Sequence, residues 1–366
     1  MQENNWKKAA PEVPEDFHMK FEETLKQIED QKIISYKKRS KKRMIQILAA
    51  AIACSLTVTT IVAGGLFQWN DVLKKRLNPS KEQQESLADQ GYIKGIGQSQ
   101  TQNGVTITLV NTVQDQNLLY ALFKIETDDS ISMDDTTSFE DGLNIKIDGT
   151  STYDMDELGS YGAGAGLAYP EGISDISPHL QYYEVSLSYN GDYDLSGKTV
   201  QMELKNLTQG GDKTEDGEVV AEGVWKFEWT LDEIRSMTKL DVNRKCDFGG
   251  YEITVDAMEL SPLKYTLYMD YEEAMKVYED ERNRFEYNGD DPGMDLTGRT
   301  HIDQVRYEDG TVVKMDYESG GIGGGEEKWD EEKGIVKISG GFAQVIDVDK
   351  LEAVHFGNVD SWLTVR

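Results

Sequence analysis

The chain has two cysteines in 366 residues, Cys54 and Cys246, too few for a disulfide framework or a cysteine-based zinc finger. Its four histidines (His18, His179, His301 and His355) are scattered, so no histidine cluster points to a metal site. Base is scarce as well. There are 38 Lys and Arg against 67 Asp and Glu, a formal net charge of −29, which argues against direct nucleic-acid binding. The imbalance is uneven along the chain. Residues 1–43 carry 11 bases and 8 acids, residues 44–67 carry no charge, and residues 68–366 hold 27 bases against 59 acids. A chain of this length is expected to form two or three domains.

The uncharged stretch, Met44–Phe67, is 24 residues long. At about 1.5 Å per residue a helix of that length reaches roughly 36 Å, enough for a hydrocarbon core of about 30 Å. Lys37, Lys38, Arg39, Lys41, Lys42 and Arg43 precede it, and Trp69 follows where an interfacial aromatic belongs. Lys74, Lys75 and Arg76 lie beyond, but the denser basic cluster is on the amino-terminal side. The expectation is a single-pass protein of the cell membrane, with its N-terminus in the cytoplasm and residues 68–366 outside. A cleaved signal peptide fits less well, because 43 residues precede the apolar run. A lipobox at Ala51–Cys54 is contradicted by the apolar residues that continue past Cys54, and a buried core helix would show a polar face.

Residues 1–43 form the expected cytoplasmic tail. Pro11, Pro14, Glu12, Glu15 and Asp16 supply helix-start chemistry. Phe17, Phe21, Leu25 and Ile28 then recur at helical spacing, within about 80° of one another on a single apolar stripe. The tail is too short to build a core for that stripe to join. The predicted helix over 11–32 therefore docks on a partner, remains a solvated tail or lies on the bilayer; its excess of acids counts against the bilayer, and the unshared stripe favours the partner.

Residues 68–95 read as a polar stalk, with room for a helix before Pro79. Beyond them the hydrophobic period falls to two: Val105, Ile107 and Leu109; Tyr183, Val185 and Leu187; Val200, Met202 and Leu204; Trp225, Phe227 and Trp229. Leu118–Ile125 is apolar on both faces, as a central strand would be. A second series follows at Tyr251, Ile253 and Val255; Tyr265, Leu267 and Met269; Val313, Met315 and Tyr317; Ile335–Ile338; and Val354–Phe356. One external helix is expected over Glu272–Tyr287. The predicted architecture is mainly β outside the membrane, with antiparallel β-sandwich domains at 96–240 and 241–366 and the boundary near Lys239–Asp247.

Asp192, Asp194, Ser196 and Glu203 have the spacing of a calcium-binding EF-hand loop. The flanks alternate like strands, so an acidic strand–turn–strand is the expectation. Gly159–Gly166 and Gly320–Gly325 lack the Gly-Lys-Ser/Thr ending of a phosphate loop and read as flexible loops. No Ser-His-Asp or Cys-His pairing stands out, so neither catalysis nor a cofactor is expected.

The order of parts resembles the membrane-anchored anti-sigma-factor-like proteins of Gram-positive bacteria. The residues that carry the resemblance are Pro14, Phe17, Phe21 and Leu25 in the tail, the Gly104–Leu109 strand with Gln114 and Asp115, and Asp194–Lys198. Gly223–Phe227 and Ser261-Pro262 also fit, the latter at the start of a second immunoglobulin-like domain. The resemblance implies that the tail sequesters an extracytoplasmic-function sigma factor until an envelope ligand or protease acts on the exterior. The His-x-x-x-Cys-x-x-Cys motif of zinc-containing anti-sigma domains is missing here, so sigma binding would be zinc-free. The competing expectation is an envelope protein whose β-domains bind cell-wall polymer or another protein, with the tail only an anchor.

Overall fold

The computed structural model describes residues 69–366, apart from 160, 169–175, 190–192, 212–216, 235–236, 285–295, 318–320 and 323. The expected span at 44–67 and the stripe of Phe17, Phe21, Leu25 and Ile28 lie outside the described residues. Among the described residues no helix is long and apolar enough to cross a membrane. All of them belong to one compact unit of the chain.

Two short helices come first, α1 (Asp71–Leu77) and α2 (Lys81–Asp89). Nine strands follow: β1 (Ile93–Gln102), β2 (Val105–Asp115), β3 (Leu118–Thr127), β4 (Ser138–Ile147), β5 (Thr150–Ser151), β6 (Tyr161–Leu167), β7 (Leu180–Tyr189), β8 (Thr199–Gln209) and β9 (Glu218–Thr230). They form antiparallel sheets of order β1-β2-β3-β7-β6 and β5-β4-β8-β9. The alternating residues meet between the two sheets. Ile107, Leu109, Phe123 and Leu187 from one sheet pack with Val200, Met202, Trp225 and Phe227 from the other. The rings of Phe123 and Phe227 lie 5.1 Å apart. Each such side chain contributes roughly 1.5–3 kcal/mol through burial, which is why the period-two pattern specifies the register.

The flank between β1 and β9 is closed by side chains instead of a strand. Gln98 Nε2 donates to Glu228 O at 2.7 Å, and Gln102 Nε2 to Val224 O at 2.5 Å. Gln100 donates to Lys226 O and accepts from Lys226 N at 3.0 Å. Asn103 continues the row to Glu222 O at 2.7 Å. Both Asn103 (φ 45°) and Gly104 (φ 80°) are left-handed, the backbone that a two-residue hairpin turn into β2 requires.

The second half contains β10 (Thr238–Asp247), β11 (Glu252–Leu260), β12 (Lys264–Asp270), helix α3 (Tyr271–Arg284), a short α4 (Leu296–Arg299), β13 (Ile302–Tyr307), β14 (Val312–Lys314), β15 (Glu326–Asp330), β16 (Ile335–Gly341), β17 (Leu351–Phe356) and β18 (Ser361–Thr364). Their sheets run β10-β11-β12-β16-β15 and β14-β13-β17-β18. Ile253, Val255, Leu267 and Ile338 of the first meet Ile302, Val305, Val354 and Phe356 of the second. β10, which spans the expected boundary at Lys239–Asp247, belongs wholly to this second pair of sheets.

Two expectations change. Gly159–Gly166 is not a loop: from Tyr161 onward it forms β6, paired with β7 from Tyr161↔Tyr189 to Leu167↔Tyr183. A ladder needs only main-chain groups, and Tyr161 and Leu167, an even number of residues apart, both pack on the core. The strand at Val313–Tyr317 stops at Lys314, and the Tyr317 hydroxyl turns inward to lie 2.7 Å from Ile302 O. In the EF-like segment, Asp194 accepts from Ser196 N at 2.8 Å and Glu203 pairs with Lys226 across β8 and β9 at 2.9 Å. Both carboxylates serve the expected strand–turn–strand.

Candidate functional site

The segment expected to be a stalk packs into a buried core of its own. Asn70 caps α1, its Oδ1 accepting from Val72 N at 2.8 Å, and Asn78 ends it in the left-handed conformation. Pro79 prevents continuation. Ser80 and Gln83 form a reciprocal capping box that starts α2. Helices of 7 and 9 residues have little stability of their own, so they need a surface to pack on.

That surface has two sources. Trp69, Val72, Leu73, Leu77 and Leu87 form a third core with Val113, Leu118, Tyr120 and Leu122, on the outer face of the first sheet. Leu263, Ile322 and Val345 reach the same core from the second pair of sheets. β3 is thus buried on both faces, with Leu119, Ala121 and Phe123 turned to the first core and Leu118, Tyr120 and Leu122 to the helices.

Polar bonds run from the hairpin in both directions. Arg76 makes a forked pair with Glu184 of β7, its Nε 3.2 Å from Oε2. Tyr120 donates to the same carboxylate at 2.9 Å, and burial, reinforced by the Glu184 charge, pushes its hydroxyl pKa well up. On the other side Gly321 N donates to Arg76 O and Val345 N to Leu77 O, both at 2.9 Å. Asn78 Nδ2 donates to Gln344 Oε1 at 2.9 Å, and Gln83 Nε2 to Val345 O at 3.2 Å. The glycine-rich segment at 320–325, read as a flexible loop, therefore supplies Gly321 as a donor and Ile322 as a core residue. Beside α2 a cleft of about 260 Å³ opens between Glu82, Ser86 and Gln90 on one wall and Leu260, Ile346 and Asp349 on the other.

Beneath the hairpin the two pairs of sheets touch through buried charge. Lys264, at the start of β12, is 0% exposed. Its ammonium donates to Ser188 Oγ of β7 at 2.9 Å and to Glu326 Oε2 of β15 at 3.2 Å. Ser261 accepts from the amides of Leu263 and Lys264 at 3.1 and 2.9 Å and donates its own proton to Asp115 at the end of β2. Asp115 also accepts from Gln116 N at 2.7 Å, and burial pushes its carboxyl pKa up. Glu326 Oε1 is buried without a protein partner among the described residues. Three ionisable groups from both pairs of sheets thus share one dry contact, costly to desolvate and sensitive to the loss of any member.

Elsewhere, His355 has Asp303 2.6 Å from Nδ1 and Asp360 3.2 Å from Nε2, so both ring nitrogens are taken by structural contacts. Cys246 lies 3.3 Å from Ser361 Oγ, and burial pushes its thiol pKa up, away from reactivity. The stripe of Phe17, Phe21, Leu25 and Ile28 lies outside the described residues. Sequence reasoning missed the Asp115–Ser261–Lys264–Glu326 cluster.

The family DUF4179, described as a domain of unknown function, matches residues 37–127. That stretch runs from the basic cluster through the expected span and the helical hairpin to the last residue of β3. A solved structure similar to this chain is described as the conserved domain protein from Bacillus anthracis. It is 12% identical with a TM-score of 0.43, over 72% of this chain and 76% of that one. No curated protein matches the chain.

Proposed function

We propose that the protein is a single-pass membrane regulator, a zinc-free anti-sigma factor. Its cytoplasmic tail sequesters an extracytoplasmic-function sigma factor, and its two exterior β-sandwich domains, immunoglobulin-like in this reading, receive an envelope signal. The observation that carries it is the place of the hairpin. Trp69 stands two residues beyond the expected span and is already 6% exposed within the third core. An ordered connection of that kind suits a protein that passes information to its membrane segment, where a simple anchor would tolerate a loose stalk. The family match supports the same reading, because DUF4179 occurs in anti-sigma-factor-like proteins and takes in span, hairpin and first strands together.

The tail is the point of test. Phe21→Asp forces a charge into the apolar stripe. Anchors at the centre of such an interface cost about 2 kcal/mol or more when lost, so the variant should release the sigma factor in a pull-down and raise transcription from its promoters. Glu22→Ala and Lys26→Ala, on the flanks of the stripe, should leave both readouts unchanged. Unaltered binding and transcription in Phe21→Asp would sink the anti-sigma reading and return the tail to the role of anchor. Reporter fusions at residue 35 and after residue 366 test the topology, with the first reporting cytoplasm and the second the exterior.

A further inference from the structure

We infer that the α1–α2 hairpin is a keystone whose docking is coupled to closure of the two pairs of sheets. Opening the buried Asp115–Ser261 and Lys264–Ser188 contact frees the hairpin next to the expected membrane span. This deepens the regulatory reading by naming the moving part, and it depends on that reading only for the use to which the motion is put.

The hairpin lacks the length to be helical alone. Most of its cover belongs to the first half of the chain, through residues such as Val113, Leu118, Tyr120 and Leu122, and the rest to the second half, through Leu263, Ile322 and Val345. Three of its main-chain and cap bonds end on Gly321, Gln344 and Val345, all in the second half of the chain. If the second pair of sheets moves away, α1 loses those bonds and one wall of its core together. The turn that must move with it is Ser261–Lys264, since Leu263 sits in the hairpin's core while its neighbours Ser261 and Lys264 grip Asp115 and Ser188.

The chemistry of that grip gives two discrete states. The buried cluster of one ammonium and two carboxylates is gripped across the two pairs of sheets by the Asp115–Ser261 and Lys264–Ser188 bonds. Once the seam parts, water solvates Asp115 on one side and the Lys264–Glu326 pair on the other, so partial opening has little to stabilise it. The seam is therefore either closed or open, which is the property a conformational signal needs.

Hydrogen exchange on the full chain in lipid nanodiscs tests the coupling. Lys264→Met removes the ammonium and leaves Glu326 and Ser188 without it. The expected result is exchange about tenfold faster or more for amides across 72–90 and for Gly321 and Val345, with the interiors of β3 and β8 unchanged. Joining α1 to the second half through Asn78→Cys with Gln344→Cys, whose native side chains already bond, should restore protection in the Lys264→Met background. Unchanged exchange at 72–90 while the 261–264 turn opens would overturn the proposal, as would an equal rise at every amide or failure of the disulfide to rescue. If Lys264→Met does not fold, Ser188→Ala removes a single bond of the cluster and is read by the same criteria. No sigma factor enters this assay, so loss of the coupling and loss of the anti-sigma reading are separate results.

Discussion

Leu73→Ala puts a number on how firmly the exterior holds its membrane-side segment. Leu73 is 0% exposed on α1, in the core shared by both pairs of sheets. The change removes three carbons, worth roughly 2.4 kcal/mol at about 0.8 kcal/mol per buried methylene, and leaves a cavity that adds to the loss. Helix propensity returns only a few tenths of a kcal/mol, so the net cost is about 3 kcal/mol. Because the short hairpin draws its order from packing, that cost falls first on its docking. Trypsin reads it directly, since Lys74, Lys75 and Lys81 are exposed side chains on helical backbone that must open before it is cut. When cleavage follows the locally open population, 3 kcal/mol becomes a rate increase of roughly a hundredfold. Glu85→Ala, exposed on α2, should change the rate by less than about twofold. The full chain in detergent is the substrate, and fragments are located by mass. If Leu73→Ala accelerates cleavage by less than about threefold, the hairpin is not held by this core and the segment is a stalk after all.

Two further outcomes follow from bonds described above. Gln100→Ala deletes both amide contacts to Lys226 and leaves them to water, so the first pair of sheets should lose about 1–2 kcal/mol and the Lys226 amide should exchange faster; an unchanged Lys226 amide would show the seam to be ornamental. Glu273, near the start of α3, has its pKa pulled down to about 2, first by the Lys245 ammonium and then by its bonds from Thr254. A depressed folded pKa gives stability that is present above the ordinary value of 4.5 and is lost as pH falls toward 2. Glu273→Gln should therefore destabilise by about 1 kcal/mol in urea melts at pH 7 and by much less at pH 2.5. A gap that stays constant with pH would contradict the assignment.

Where alternation is strict and one face meets the core, the sequence is legible. β2, β7, β8 and β9 stand where Ile107, Val185, Met202 and Phe227 place them. β1 and β6 were missed for opposite reasons. β1 spends its glutamines on another strand's main chain, and β6 has almost no side chains to show a period. Of the hairpin, the helix before Pro79 was legible, but α2 and the docking of both helices were missed, because seven- and nine-residue helices give too short a window for a 3.6-residue pattern. Its presence was nonetheless written into β3: a strand apolar on both faces needs two covers, and only one was identified. The Lys264 cluster left no trace, since a buried lysine and a solvated one look alike until distant strands come together.

The amide row between β1 and β9 makes tolerance to substitution one-sided. Gln98, Gln100 and Gln102 recognise the backbone of β9, while the Lys226 and Glu228 side chains turn to Glu203 and Gln201 of their own sheet. Drift in the β9 side chains therefore leaves the seam untouched. On β1 a replacement must keep both ends of the amide and its reach, and asparagine falls short by one methylene, about 1.5 Å. At this seam the two facing strands thus evolve under different rules, β1 by chemistry and length and β9 by its backbone alone, while Trp225 and Phe227 answer to the core on the other face.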